Sequence, residues 1–93
     1  MKSYLRERMN QKANDVANWP LHQLERESER LKIARDEALE QIASPPSKAD
    51  IPAMMEFLLL THELYAVDHV LQLRHDDPQG QIRFIKMDLP GIA

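Results

Sequence analysis

Residues 51–74 read IPAMMEFLLLTHELYAVDHVLQLR and contain the longest uninterrupted apolar run of the chain, at 57–60. Their apolar residues recur at helical spacing on two sides. One side carries Met54, Phe57, Leu58, Leu64 and Leu71, and the other carries Met55, Leu59, Ala66, Val70 and Leu73. Because a helix that is apolar on two sides must be covered from two directions, this stretch predicts the central helix of a multi-helix core.

The segment before it predicts a second helix. Ser44-Pro45-Pro46-Ser47 cannot continue a helix, so the chain turns there, and Asp50 and Pro52 are expected to start the next helix as its cap and first turn. In residues 20–43, a 3–4 spacing is kept by Leu21, Leu24, Ser28, Leu31, Arg35, Ala38 and Ile42. The short connection predicts that the two helices pack antiparallel.

A shorter helix is predicted over residues 3–17, where Leu5, Met9, Ala13 and Val16 form one apolar face. It is expected to end at Trp19-Pro20, because proline disfavours helical geometry in the residue before it. The predicted helices are thus about 3–17, 20–43 and 51–74. We expect an all-α domain over residues 1–75, either a helical hairpin or a three-helix bundle.

Residues 76–93 differ in character and predict a C-terminal arm. Asp77 to Gly80 match a type I turn, and QIRFIKMDL at 81–89 alternates like an extended chain or β-strand. Arg83, Ile85, Met87 and Leu89 would share the face opposite Ile82, Phe84 and Lys86. Because the sequence offers no second strand, we expect backbone pairing from outside the chain, with another copy or a target's sheet edge. The alternative is an extended arm or short helix lying on the bundle.

The composition excludes several classes of protein. The chain has no cysteine, which rules out disulfides and thiolate metal sites and fits a reducing, cytoplasmic location. The amino terminus is charged from the start, and no apolar run approaches the length of a membrane span, so we expect neither a secretory signal nor a membrane segment.

The charge is unevenly distributed. The first fourteen residues carry Lys2, Arg6, Arg8 and Lys12 against Glu7, a net +3 in a chain of net −3. The acidic remainder argues against docking on a nucleic-acid backbone, so nucleic-acid binding through these four basic residues is kept as a rival hypothesis.

No catalytic or metal-binding pattern is present. His62 and His69 lie seven residues apart, too far along a helix to share a metal ion. The carboxylates of residues 25–40, Glu27 among them, alternate with basic residues and are expected on a solvated helix face. No serine lies in a glycine elbow, and there is no glycine-rich phosphate loop. We therefore expect no enzyme activity, no cofactor and no metal.

The stretch RERMNQKANDVANWP, residues 6–20, resembles the start of small accessory proteins encoded by enterobacterial phages and prophages. The resemblance covers fifteen residues and assigns no residue a role. It implies an accessory protein that inhibits or modulates a host enzyme or a defence complex.

These observations lead to the hypothesis that the chain is a non-enzymatic protein-binding module with a protein partner. A homodimer is also possible in this hypothesis. The arm is the expected contact surface, with Trp19 as a further anchor. The expected partner-binding residues are Ile82, Arg83, Phe84, Ile85, Met87 and Trp19. A third hypothesis is an antitoxin-like protein whose tail folds only on its partner.

Overall fold

Three α-helices form along the chain, in a computed structural model that describes residues 2–80, 82 and 84–89. They are α1 (Lys2–Val16), α2 (Leu21–Glu40) and α3 (Ile51–Asp76), with a short 3-10 turn at Lys48–Asp50 before α3. The described residues include no β-strand. The prediction of an all-α fold is therefore confirmed for this part of the chain. None of the described helices is long and apolar enough to cross a membrane.

The break between α1 and α2 falls at the predicted proline. The Arg74 guanidinium, from the last turns of α3, donates to the carbonyl oxygen of Trp19 at 2.7 Å and to that of Ala17 at 3.4 Å. The carbonyl groups beyond the end of α1 lack partners within that helix, so this contact satisfies them and ties the break to α3.

The turn between α2 and α3 is closed by Asp50. Its carboxylate accepts hydrogen bonds from the backbone N–H of Ser47 at 2.8 Å and from the Ser47 hydroxyl at 3.3 Å, and the backbone bond holds the pKa of Asp50 below its usual range. The side chain of Asp50 therefore caps the 3-10 turn and makes no cap bond to α3, contrary to expectation. Pro52 lies in the first turn of α3, as expected.

The helix α3 packs against both α1 and α2. Its 26 residues span about 39 Å, whereas the 15 residues of α1 span about 22 Å, at 1.5 Å per residue. The helix α1 therefore covers only part of the length of α3. We call residues 64–76 of α3, with α1 and the facing part of α2, the closed end, and residues 33–40 of α2 with 51–63 of α3 the open end.

Burial along α3 follows this division, although Ala38 of α2 is buried at the open end. The fully or nearly buried apolar residues of α3 are Leu64, Ala66, Val67 and Val70, all at the closed end. They join one core with α1, α2 and the arm, through Leu5, Met9, Ala13, Val16, Leu24, Leu31, Ile85, Met87 and Leu89. No residue from 51 to 63 is buried. The expectation that α3 is covered from two directions is right for its second half and wrong for its first.

Candidate functional site

The arm turns back along α1 at the predicted turn, where the Gly80 N–H donates to the Asp77 carbonyl at 3.2 Å. A Cβ atom at position 80 would collide with the carboxylate of Asp77, so a larger residue there would require the exposed Asp77 side chain to move. Along residues 84–89 the side chains alternate between two environments. Ile85, Met87 and Leu89 are buried, and Phe84, Lys86 and Asp88 are exposed. This is the predicted two-sided pattern of an extended chain.

Three asparagines, which we call the asparagine row, hold the arm: Asn10 and Asn14 on α1, and Asn18 in the turn that follows it. Asn14 donates to the carbonyl of Ile85 and accepts from its N–H, both at 2.9 Å. Asn10 makes the same pair of bonds with Met87, at 3.1 Å and 2.6 Å. Asn18 donates to the carbonyl of Ile82 at 3.2 Å.

The asparagine row distinguishes the two alternatives that the sequence left open for the arm. One was backbone pairing from outside the chain, because no second strand exists, and the other was an extended arm lying on the bundle, as found in the described residues. The amide side chains of a helix take the place of that strand for Ile85 and Met87. The asparagines recur every four residues in the sequence, which places Asn10 and Asn14 on one side of α1, but this spacing does not by itself show that the arm lies beside them.

The predicted partner-binding residues are placed in different environments. Ile85 and Met87 are buried in the core of this chain, and Ile82 and Trp19 are half-buried against it. Phe84 differs from all of these, since 76% of it is exposed. The remaining one, at position 83, lies outside the described residues.

A shallow groove of about 500 Å³ runs beside Phe84, between the arm and α1. It is lined by Arg6, Glu7, Asn10, Gln11, Asn14, Phe84 and Lys86. Two cationic side chains and one carboxylate border it. The groove thus joins the most exposed large apolar side chain of the described residues to a border of mixed charge, in which Arg6 is paired with Asp88.

On the opposite flank of α1, Glu27 joins α1 to α2. Its carboxylate accepts from Arg30 at 2.5 Å and from the Lys12 ammonium at 2.5 Å, and Lys12 also lies 5.9 Å from the ring centre of Trp19. The hydrogen bond from Arg30, together with Lys12, lowers the pKa of Glu27 from 4.5 to about 2, against the opposing effect of burial.

The Glu27 cluster corrects the expectation of a solvated acidic face at this position. Only 8% of Glu27 is exposed. A carboxylate can be buried at this depth because two cations compensate its lost hydration. The pair with Arg30 spans one turn of the same helix, whereas the bond to Lys12 depends on how α1 packs on α2 and has no local signal in the sequence.

The basic residues proposed for nucleic-acid binding are mostly engaged within the chain. Arg6 lies 3.8 Å from the carboxylate of Asp88, Arg8 lies 3.4 Å from that of Glu63, and Lys12 binds Glu27. Lys2 is exposed at the start of α1. Three of the four residues therefore face three different carboxylates, and the four do not form one basic surface.

His62 and His69 are half-buried on α3, and the Nδ1 atom of His62 lies 2.7 Å from the carbonyl oxygen of Leu58. Within the described residues, no group of three or more histidine, aspartate or glutamate side chains is arranged to hold a metal ion. In comparisons with protein-family models, curated proteins and solved structures, nothing matches this chain.

Proposed function

We propose that this protein is a non-enzymatic protein-binding module that contacts its partner through Phe84 and the groove beside it. The observation that carries the proposal is the 76% exposure of Phe84 on an arm whose other face is buried. Aromatic side chains are frequent anchors of protein interfaces, because they bury a large apolar area with few rotatable bonds.

The surroundings of Phe84 specify the partner surface. The backbone of the next residue, Ile85, is fixed by Asn14 on both its N–H and its carbonyl, so the anchor is held in place before binding. Arg6 and Lys86 line the same groove. A complementary surface would be an apolar pocket with a polar rim on a partner protein. The resemblance of residues 6–20 to phage accessory proteins extends the proposal to modulation of a host enzyme or defence complex.

Substituting Phe84 tests the proposal. The tagged wild-type chain, Phe84→Ala and Ile33→Ala are compared in affinity capture from a bacterial lysate, followed by titration of the captured protein. Ile33 is a matched control, because it is 53% exposed and lies on α2, away from the arm. We expect Phe84→Ala to weaken binding at least tenfold, on the order of an interface hot spot, and Ile33→Ala to leave it unchanged.

Three outcomes would contradict the proposal. They are undiminished capture by Phe84→Ala, an equal loss in both variants, and the absence of any stoichiometric partner. Neither the nucleic-acid hypothesis nor the antitoxin-like hypothesis has a specific contact in its favour. The basic residues of α1 are mostly paired with carboxylates, and the arm is bound by its own helix.

A further inference from the structure

We infer that the outer face of α3 is a dimer interface, and that its occupant is the same face of a second copy of this chain. Four of the large apolar side chains exposed among the described residues lie on this face: Ile51, Met54, Leu58 and Tyr65, each between 37% and 54% exposed. We call these four residues the outer stripe. The inference goes beyond the proposed function, because the outer stripe includes neither the arm nor Phe84.

The outer stripe has the spacing of a helix-pairing seam. Its members follow one another at intervals of three, four and seven residues, which are the a and d positions of successive heptads. At about 100° per residue, Leu58 and Tyr65 lie roughly 160–180° around the helix from Val67, which is fully buried. The outer stripe therefore points away from the core that α1, α2 and the arm form around Val67.

The distribution of charge along α3 leaves the outer stripe without ionised groups. Between residues 51 and 67, α3 carries two carboxylates, Glu56 and Glu63, and no lysine or arginine. Both carboxylates lie about 140–160° around the helix from Leu58, and Glu63 lies 3.4 Å from Arg8 of α1. A partner selected by charge would have nothing to bind here. Two copies of this face can meet without like-charge repulsion, although each chain carries a net charge of −3.

The outer stripe is complementary to itself in an antiparallel pair. When Leu58 packs against Thr61 of the second copy, Met54 falls opposite Tyr65 of the second copy, and the two-fold axis repeats both contacts. Methionine adapts its shape to its neighbours and makes favourable contacts with aromatic rings. Closed two-fold dimers, in which one surface patch pairs with itself, are by far the commonest oligomers of soluble proteins. The pattern thus favours a second copy as the occupant.

The accessible surface of the chain agrees with such an interface. A folded monomer of 10.8 kDa exposes about 5,500 Å², whereas this chain exposes 6493 Å². The excess is on the order of 1,000 Å², and each partner in an interface of standard size buries about 800 Å². The chain is also elongated, with extents of 48 × 26 × 20 Å. The excess surface of one chain therefore matches the area that a stable dimer needs.

The test is the mass of the full-length chain in solution, measured by sedimentation over a series of concentrations. We expect the wild-type chain to be a dimer at micromolar concentration. Leu58→Glu places two carboxylates near each other across the two-fold axis and should weaken the dimer at least tenfold. Ile33→Glu is the matched control, because it adds the same charge at an exposed apolar position of α2, and it should leave the Kd unchanged. Phe84→Ala should also leave it unchanged, which separates this inference from the proposed function.

A single introduced cysteine locates the interface, because the chain has none of its own. In the antiparallel pair, position 58 lies less than one helical turn from the two-fold axis. Two copies of Leu58→Cys should therefore become linked on mild oxidation, since a disulfide requires the two backbones to be close. Ile33→Cys, which is no less exposed, should not become linked.

A wild-type chain that stays monomeric at micromolar concentration would overturn the inference. A dimer that Leu58→Glu leaves intact, or that Ile33→Glu weakens equally, contradicts it as well. If Leu58→Glu loses its helical circular dichroism, the cysteine variants decide, and equal linking in both or linking in neither rules the interface out. A monomer that captures a different protein, with capture lost in Leu58→Glu, would replace the second copy by a partner protein and overturn the inference.

Discussion

The two halves of α3 have similar apolar content and opposite degrees of burial. At the closed end, α1, α2 and the arm surround Leu64 to Val70, and four apolar side chains are buried. At the open end, Ile51, Met54 and Leu58 are exposed although they continue the same helix. The comparison teaches that burial of an apolar helix depends on how many elements cover it as well as on its sequence.

The largest expected effect comes from substituting the same residue type in each region. Leu31 in α2 is 0% exposed and belongs to the core, whereas Leu39 at the open end is 52% exposed. Leu31→Ala should lower the free energy of unfolding by about 2–5 kcal/mol through lost burial and a residual cavity. Leu39→Ala should lower it by less than about 1 kcal/mol. Urea unfolding measures both, and equal losses would remove the distinction between the two ends.

A smaller effect is expected at the Glu27 cluster, which joins α1 to α2. Glu27→Gln removes the charge that binds Lys12 and Arg30, and should destabilise the fold by about 1.5–3 kcal/mol at neutral pH, the range for hydrogen bonds between charged groups. Glu29→Gln, on the exposed surface two residues away, is the matched control and should cost less than about 0.5 kcal/mol.

The Glu27 effect should also depend on pH. The pKa of Glu27 is lowered in the folded protein from 4.5 to about 2, so its contribution is complete above pH 4.5 and is lost as the pH falls towards 2. The stability difference between wild type and Glu27→Gln should therefore shrink across this window. A difference that stays constant between pH 6 and pH 2 would show that the ionised cluster does not stabilise the fold.

The smallest and most local effect is expected for Asn10→Ala. This change removes both hydrogen bonds to Met87 and replaces asparagine by a better helix former, so α1 should remain intact. We expect about 1–3 kcal/mol less protection of the Met87 amide in hydrogen exchange, from two bonds of about 0.5–1.5 kcal/mol each.

Gln11→Ala, at an exposed position on the same helix, serves as the control for Asn10→Ala and should leave the Met87 amide unchanged. In both variants, amides of the open end should exchange faster than those near Val67, because fewer elements cover them. Equal hydrogen-exchange protection of the amides along the whole of α3 would contradict the contrast between the two ends.

Several features of the fold could be predicted from local sequence. The prolines at positions 20, 45 and 46 mark the two breaks between helices, because of their fixed φ and missing N–H, although α1 already ends at Val16 and α2 at Glu40. The four-residue turn at Asp77–Gly80 and the alternation of buried and exposed side chains in residues 84–89 were visible in the same way. The two apolar faces of α3 could also be predicted from the sequence. Their pattern does not indicate how much of the length of α3 a neighbouring helix covers.

The candidate site was predicted only in part. Phe84, Ile85 and Met87 were all predicted to contact a partner; Phe84 is exposed and its contact role stays a prediction, whereas Ile85 and Met87 are buried in the core of this chain. The reason is that an arm can satisfy its backbone with side-chain amides as well as with a strand. Periodicity identifies which residues share a face, but does not reveal that Asn10 and Asn14 lie beside the arm.

The sequence by itself determined the helical class, the breaks between helices and the two-sided character of the arm, because each depends on a few neighbouring residues and on backbone geometry. Only the tertiary structure decided which part of α3 is covered, where the arm lies and that Glu27 is buried between two cations. Those outcomes depend on contacts between segments as distant as Asn10 and Met87, whose proximity is set by the packing of whole helices and carries no local signature.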